Sequence, residues 1–129
     1  MEQSQYLIDS NAIIDYLGQK LPSAGMEFMN PIVDRVPNVS VISKIEVLGF
    51  QAPELHYQLL SDFMNDAIVL DLTSSVVEVC IDIRKKNKTK LPDAIIAATA
   101  LVYDLVLITR NISDFKNIQG LKVINPHNF

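Results

Sequence analysis

Four acidic residues fall where regular segments of this chain begin or end. Asp9 follows the apolar run Tyr6, Leu7 and Ile8; Glu46 lies one helical turn beyond the stretch from Asn38 to Ile42; Asp93 comes just after Leu91 and Pro92; and Asp114 lies just past Val106 to Ile108. Carboxylates brought into one pocket repel each other, and each pKa rises unless a cation compensates. Mg²⁺, with Mn²⁺ as a substitute, supplies that compensation, because hard divalent ions prefer oxygen ligands and keep water positions open for a phosphate. The chemistry expected of such a site is phosphodiester hydrolysis, in which the ion polarises the phosphoryl oxygen, lowers the pKa of a bound water and offsets charge on the leaving oxygen. No histidine or cysteine cluster suggests zinc, and no Ser/His/Asp order suggests acyl transfer. His56 and His127 read as surface residues, and Asp15, Asp71 and Asp104 as ordinary helix, turn and surface acids.

These acids need a frame to bring them together, and the hydrophobic pattern supplies one. Tyr6 to Ile8 reads as a buried strand ending at Asp9, after which Ser10 or Asn11 caps a helix through Leu17. Pro22 and Gly25 mark a break before a second helix that carries Pro31, a kink or stop signal, and ends near Pro37. Asn38 to Ile42 reads as a second strand. Ser43 then caps a short helix closed by Gly49, and Glu46, three residues after Ser43, also fits a capping box. A helix from Pro53 to about Ala67 has the apolar stripe Leu55, Leu59, Leu60, Phe63 and Met64. Ile68 to Leu70 is a third strand, and Thr73 or Ser74 caps the next helix, with Val76, Val79, Cys80 and Ile83 facing inward. The helix from Leu91 to Val102 has hardly any polar face and reads as buried on most sides. Val106 to Ile108 and Leu121 to Ile124 complete five strands.

Strands alternating with helices imply crossover connections and a mostly parallel sheet covered on both faces. The expected fold is α/β, a three-layer α/β/α sandwich with a central five-stranded sheet, in a single domain over 1–129. Ligands in such sheets bind outside the carboxyl ends of the strands. Asp9, Glu46 and Asp114 follow strands, and Asp93 reaches the same end if its helix runs antiparallel to them, so all four converge.

Hydrophobic residues make up 49% of the 129 residues, yet no run approaches the roughly 18 to 20 apolar residues needed to cross a bilayer. The N-terminus, MEQSQYLIDS, has no basic region followed by an apolar stretch that would mark a signal peptide. The single cysteine, Cys80, has no partner for an intrachain disulfide. A soluble protein of a reducing cytoplasm, with no membrane association, is expected. The net charge of −4 argues against a broad basic surface for nucleic acid. The distribution is less even: five of the eleven basic residues, Arg84, Lys85, Lys86, Lys88 and Lys90, fall within the seven positions before Leu91. A solvated helix end explains them as readily as a rim that contacts phosphates.

The blocks YLIDSNAIIDYL, VISKIEVLGF, LPDAIIAATAL and LITRNISDFKNIQGLKVINP resemble, in order and over nearly the whole chain, the motif blocks of PIN-domain ribonucleases. The resemblance is strongest to the VapC-type toxins of bacterial and archaeal toxin–antitoxin pairs. It implies that Asp9, Glu46, Asp93 and Asp114 are the catalytic, metal-binding acids. Asn11 matches the residue two after the first acid, Ser10 stands where the family usually has threonine, and Thr109 and Asn111 match the supporting polar residues of the last block. It further implies a Mg²⁺- or Mn²⁺-dependent endoribonuclease that leaves a 5′-phosphate and a 3′-hydroxyl, with a cognate antitoxin as partner and a homodimer as the assembled state. With an RNA substrate in view, the basic cluster leading into Asp93 is better read as RNA-contacting, and Lys44, near Glu46, is a lesser candidate. Two alternatives remain: a stand-alone PIN-domain nuclease of RNA processing or decay without an antitoxin, and a phosphoacceptor receiver domain. The second needs paired acids after the first strand and a lysine after the fifth, neither of which is present. Leu48, Phe50 and Met64 are apolar residues suited to an interface or the core.

Overall fold

The computed structural model describes residues 4–129; the first three residues of the expected domain, which open the stretch read as lacking a signal peptide, lie outside the described residues. The strands β1 (Tyr6–Ile8), β2 (Asn38–Ser40), β3 (Ile68–Leu70), β4 (Val106–Ile108) and β5 (Val123–Ile124) form one sheet in the order β3-β2-β1-β4-β5. Every pairing is parallel. The chain therefore builds outward from β1 in one direction, then crosses over and builds outward in the other. The switch point lies between β1 and β4, and the crevice outside their carboxyl ends is where a ligand can enter. A receiver domain has a different order, 2-1-3-4-5, so the topology removes that alternative.

Each central strand feeds both layers, because successive side chains point to opposite faces. Leu7 and Leu107 join one buried cluster with α5 (Ser74–Lys86) and α6 (Leu91–Val102). Ile8 and Ile108 join the other, with α1 (Ser10–Leu17), α2 (Ser23–Asp34), α3 (Val41–Leu48) and α4 (Glu54–Asp66). The α/β/α sandwich is thus as the pattern implied. The whole of α6 from Ala94 to Ala100 is buried, which holds its first turn, with Asp93, rigidly against the sheet.

The elements depart from the sequence reading where local hydrogen bonds outweigh periodicity. β2 stops at Ser40 rather than Ile42, because the Ser40 side chain accepts the Ile42 N–H at 3.1 Å and turns the chain into α3. Ser43 is consequently the third residue of α3, not its cap, and its buried hydroxyl has no hydrogen-bond partner among the described residues. The capping-box explanation of Glu46 falls with it. Pro31 neither ends nor interrupts α2; it lies on the exposed side of the helix, where water can take the carbonyl left without its N–H partner. On α4 the stripe is narrower than expected: Leu60, Phe63 and Met64 are buried, whereas Leu55 and Leu59 are exposed. Leu121 belongs to a turn, its N–H bonded to Ile118 O, and β5 begins only at Val123. α2 also meets the C-terminal turn Pro126–Asn128, so closely that a Cβ on Gly25 would clash with the carbonyl of Pro126.

Candidate active site

Asp9 is the first residue past β1 and caps α1, with Oδ1 accepting the Ser10 N–H at 2.8 Å. Its other oxygen, Oδ2, accepts from Thr109 Oγ1 at 2.8 Å and from Asn11 Nδ2 at 3.2 Å. Thr109 occupies the equivalent place at the end of β4, and since β1 and β4 are neighbours in the sheet these two side chains meet across the switch point. Asp9 is only 4% exposed and Thr109 fully buried. Burial pushes the Asp9 carboxyl above its ordinary range, and the hydrogen bonds from Thr109, Ser10 and Asn11 counter part of that rise. The hydroxyl of Thr109 also accepts from Asn11 Nδ2 at 3.2 Å and from the Asn111 N–H at 3.1 Å. Asn11 Oδ1 in turn accepts the Arg110 N–H at 2.9 Å. Asn11 and Thr109 thus bond Asp9 through their side chains, whereas Asn111 enters this network through its backbone.

The remaining acids surround Asp9 without touching it. Glu46, on α3, accepts from Ser10 Oγ at 3.2 Å, a contact that uses the hydroxyl retained at that position. Its pKa is raised by desolvation and then by the charge of Asp9, with Asp93 a smaller contributor. Asp93, in the first turn of α6, is raised by desolvation and then by the charges of Asp114 and Asp9, while Lys90 opposes the shift. Asp114 ends the 3₁₀ turn Ile112–Asp114 and is exposed. The four acids thus share one electrostatic neighbourhood at the carboxyl end of the sheet. Among the described residues, no three His, Cys, Asp or Glu side chains come together closely enough to enclose an ion by themselves. Their chemistry nonetheless fits a hard divalent cation: the donors are all carboxylate oxygens, and three of the four have pKa values raised in part by burial or by one another.

Two clefts open among these acids; they share no lining residue, and the buried Asp9 lines neither. One, of about 440 Å³, brings Asp93 and Asp114 together with Lys86, Lys88 and Lys90. The other, of about 370 Å³, brings Glu46, Ser10 and Asn11 together with Lys20, Phe50 and Arg110. Of the basic cluster, Arg84 and Lys85 lie in the last turn of α5 and do not line either cleft. Lys86 is shared between the first cleft and an exposed pairing with Asp82 at 3.2 Å. Lys44 lines neither.

Three residues have more structured roles than the sequence suggested. Asp15 is 3% exposed and is bound by Arg110 Nη1 at 3.1 Å and His127 Nε2 at 2.9 Å, so neither Asp15 nor His127 is an ordinary surface group. A buried acid needs partners, and here they come from two distant chain segments. The available signal was its spacing: Asn11 and Asp15 are four residues apart and share one face of α1, the face that meets Arg110. Of the apolar residues suited to interface or core, Met64 is in the core, Leu48 packs against it and Phe50 is half exposed.

The PIN domain family model matches residues 6–121. A search among curated proteins finds no match. Among solved structures, the chain is similar to one in a toxin–antitoxin complex from Klebsiella pneumoniae, with 29% identity, a TM-score of 0.75, and 94% of this chain and 97% of that one covered. It has the same fold as a chain in DNA-bound VapBC from Salmonella typhimurium, at 24% identity and a TM-score of 0.79, covering 96% of this chain and 99% of that one. The same holds for a chain of FitAcB from Neisseria gonorrhoeae, at 19% identity and a TM-score of 0.77, with coverages of 96% and 99%. With a family match over nearly its whole length and the acids at the switch point of the sheet, the chain belongs to the PIN domain family.

Proposed function

We propose that this protein is a metal-dependent endoribonuclease and the toxin of a toxin–antitoxin pair, with Asp9, Glu46, Asp93 and Asp114 holding Mg²⁺ or Mn²⁺. The observation that carries the reading is the set of acids gathered at the switch point, from the buried Asp9 to the exposed Glu46 and Asp114, whose charges raise one another's pKa values, with Lys90 the one cation acting against that rise at Asp93 among the described residues. A bound divalent ion supplies Lewis-acid polarisation of the phosphate and a water of lowered pKa. The protein's own part is positioning. Asp9 is fixed by Thr109, Asn11 and the Ser10 N–H, and Asp93 by the buried body of α6, so two acids are held rigidly while the exposed Glu46 and Asp114 can adjust to an incoming phosphate. Lys86, Lys88 and Lys90 supply the sequence-independent attraction that draws a polyanion towards acids that would otherwise repel it.

A partner protein is supported by an apolar cleft of about 460 Å³ between α1 and α4, which adjoins the Glu46 cleft through Ile14, Lys20 and Phe50 and is lined also by Leu17 and Leu59. Its exposed apolar rim suits an antitoxin segment better than it suits solvent, and this favours the toxin over a stand-alone RNA-processing nuclease. Val77 and Ile81, exposed one turn apart on α5, are the residues on which we place self-association into a homodimer. Among the described residues no helix is long and apolar enough to cross a membrane.

The test is cleavage of single-stranded RNA by the purified protein with Mg²⁺ or Mn²⁺ and with a chelator. Cleavage should need the ion, leave 5′-phosphate ends and vanish in Asp9→Asn and in Asp93→Asn. Cleavage that persists in the chelator or in either variant would refute the assignment.

A further inference from the structure

We propose that Arg110 binds a backbone phosphate of the RNA in the second cleft, the one that contains Glu46, with its guanidinium held ready by the buried Asp15. This rests on the nuclease reading and adds to it the residue that grips the strand beyond the scissile bond.

The acids are divided between the two clefts: Asp93 and Asp114 open into the first and Glu46 into the second, with Asp9 close enough in charge to act on both sides. A strand whose scissile phosphate lies at Asp9 therefore passes through both clefts, and its flanking phosphates meet carboxylates in each. The first cleft has three lysines to offset that repulsion. The second has only Arg110 and Lys20, and of these only Arg110 is anchored.

The anchoring is specific. Asp15, nearly all buried, takes Nη1 of Arg110 on both carboxylate oxygens, at 3.3 and 3.1 Å, and takes His127 Nε2 on Oδ2. The backbone of Arg110 is fixed as well: its N–H donates to Asn11 Oδ1 at 2.9 Å, and its carbonyl accepts from Asn125 Nδ2 at 3.2 Å. Among the described residues Nη2 and Nε have no hydrogen-bond partner, and the side chain is 52% exposed. Here one nitrogen of the fork is committed and the other two have no partner among the described residues, on a half-exposed side chain that lines a cleft with Glu46. A planar guanidinium locked in this way loses little freedom when it takes a phosphate, unlike a lysine on a free stem.

The experiment uses the full chain. Binding of a short fluorescein-labelled single-stranded RNA is measured in the Asp93→Asn background, so that no cleavage intervenes, over a range of salt concentrations. Cleavage kinetics are measured in the otherwise wild-type protein. Arg110→Gln, which keeps an amide able to bond Asp15, should weaken binding about tenfold and reduce the salt slope by about 0.7, the share of one phosphate contact on a single strand. In cleavage the loss should appear in KM rather than kcat. Arg110→Lys should restore the salt slope but only part of the affinity. Lys122→Gln, which removes one positive charge remote from both clefts, should change neither. Unaltered binding and KM in Arg110→Gln, or an equal loss in Lys122→Gln, would overturn this assignment while leaving the nuclease reading intact. Absence of RNA cleavage by the wild-type protein would overturn both.

Discussion

Replacing Thr109 by valine leaves a side chain of nearly the same shape and removes the hydroxyl that holds Asp9, together with the bonds it accepts from Asn11 Nδ2 and the Asn111 N–H. That hydroxyl donates to Asp9 Oδ2 at 2.8 Å, inside a fully buried residue, and it is the strongest of the contacts that keep the Asp9 pKa from rising further. A hydrogen bond to an ionised group contributes about 1.5–3 kcal/mol, against about 0.5–1.5 kcal/mol for a neutral pair. Thr109→Val should therefore cost roughly 2 kcal/mol or more at neutral pH, lowering Tm by about 5–15 °C in a domain of this size. The sign of the pH dependence follows from the direction of the shift. The folded-state pKa of Asp9 already lies above the unfolded value, and the variant raises it further, so ionising Asp9 destabilises the folded state more. This extra penalty is absent below the folded-state pKa of the wild type, grows as pH rises from that value to the higher folded-state pKa of the variant, and is complete above the latter. Chemical denaturation of wild type and variant at about pH 8 and about pH 4.5 should show a larger stability loss at the higher pH. In an Asp9→Asn background the same substitution should cost only the neutral-pair amount, a coupling of about 1 kcal/mol or more. A penalty independent of pH, or undiminished when Asp9 is asparagine, would refute the claim that Thr109 acts by holding a buried carboxylate.

Four further outcomes follow from the same geometry. Mg²⁺ or Mn²⁺ should raise the Tm of the wild type, by the equivalent of about 2.7 kcal/mol at a hundred times the Kd, and should raise that of Asp93→Asn far less; no shift in the wild type would remove the metal site. In a chelator the order reverses: Asp93→Asn should be the more stable protein at neutral pH. Metal-free wild type should lose stability as pH rises above the unfolded carboxylate range, because Asp9, Glu46 and Asp93 all have raised folded pKa values, and the variant should show a shallower decline. Gly25→Ala should destabilise by about 1–3 kcal/mol, since its Cβ would clash with the carbonyl of Pro126; unchanged denaturation would mean that the C-terminal turn does not dock on α2. Lys86, Lys88 and Lys90 replaced together by alanine should weaken RNA binding and flatten its salt dependence, and an unchanged slope would return them to a solvated helix end.

The sheet and its layers were readable from the sequence because each rests on a short-range rule. Leu7 and Ile8, and likewise Leu107 and Ile108, alternate between the two faces, and the apolar run of α6 leaves no side for water. What the periodicity could not resolve were boundaries set by single side-chain contacts. Ser40 and Ser43 both precede apolar residues, and only the bond from the Ile42 N–H to Ser40 decides which of them caps α3. Leu55 and Leu59 fit the α4 stripe by spacing, yet they are exposed because no element packs over that edge.

The candidate site divides along the same line. Asp9 and Asp93 were legible because each adjoins the end of an element whose place in a parallel sheet is fixed by topology, whereas Thr109 was marked by the motif resemblance alone. Asp15 was not legible, although it lies on the same helix as Asn11 and is as deeply buried as Asp9. Its burial depends on Arg110 and His127, which lie 95 and 112 residues away in the chain, and no local pattern announces a partner so distant. The consequence reaches the chemistry. Arg110 ties both buried acids together: its side chain bonds Asp15, and its backbone N–H bonds Asn11, which bonds Asp9 and Thr109. The C-terminal segment joins this clasp at two points, with Asn125 bonding the Arg110 carbonyl in the loop after β4 and His127 bonding Asp15 on α1. The acid at the switch point is therefore held from two directions, by the strand end that places Thr109 and by a clasp between the first helix and the last turn. Only the first of these could be read from neighbouring residues.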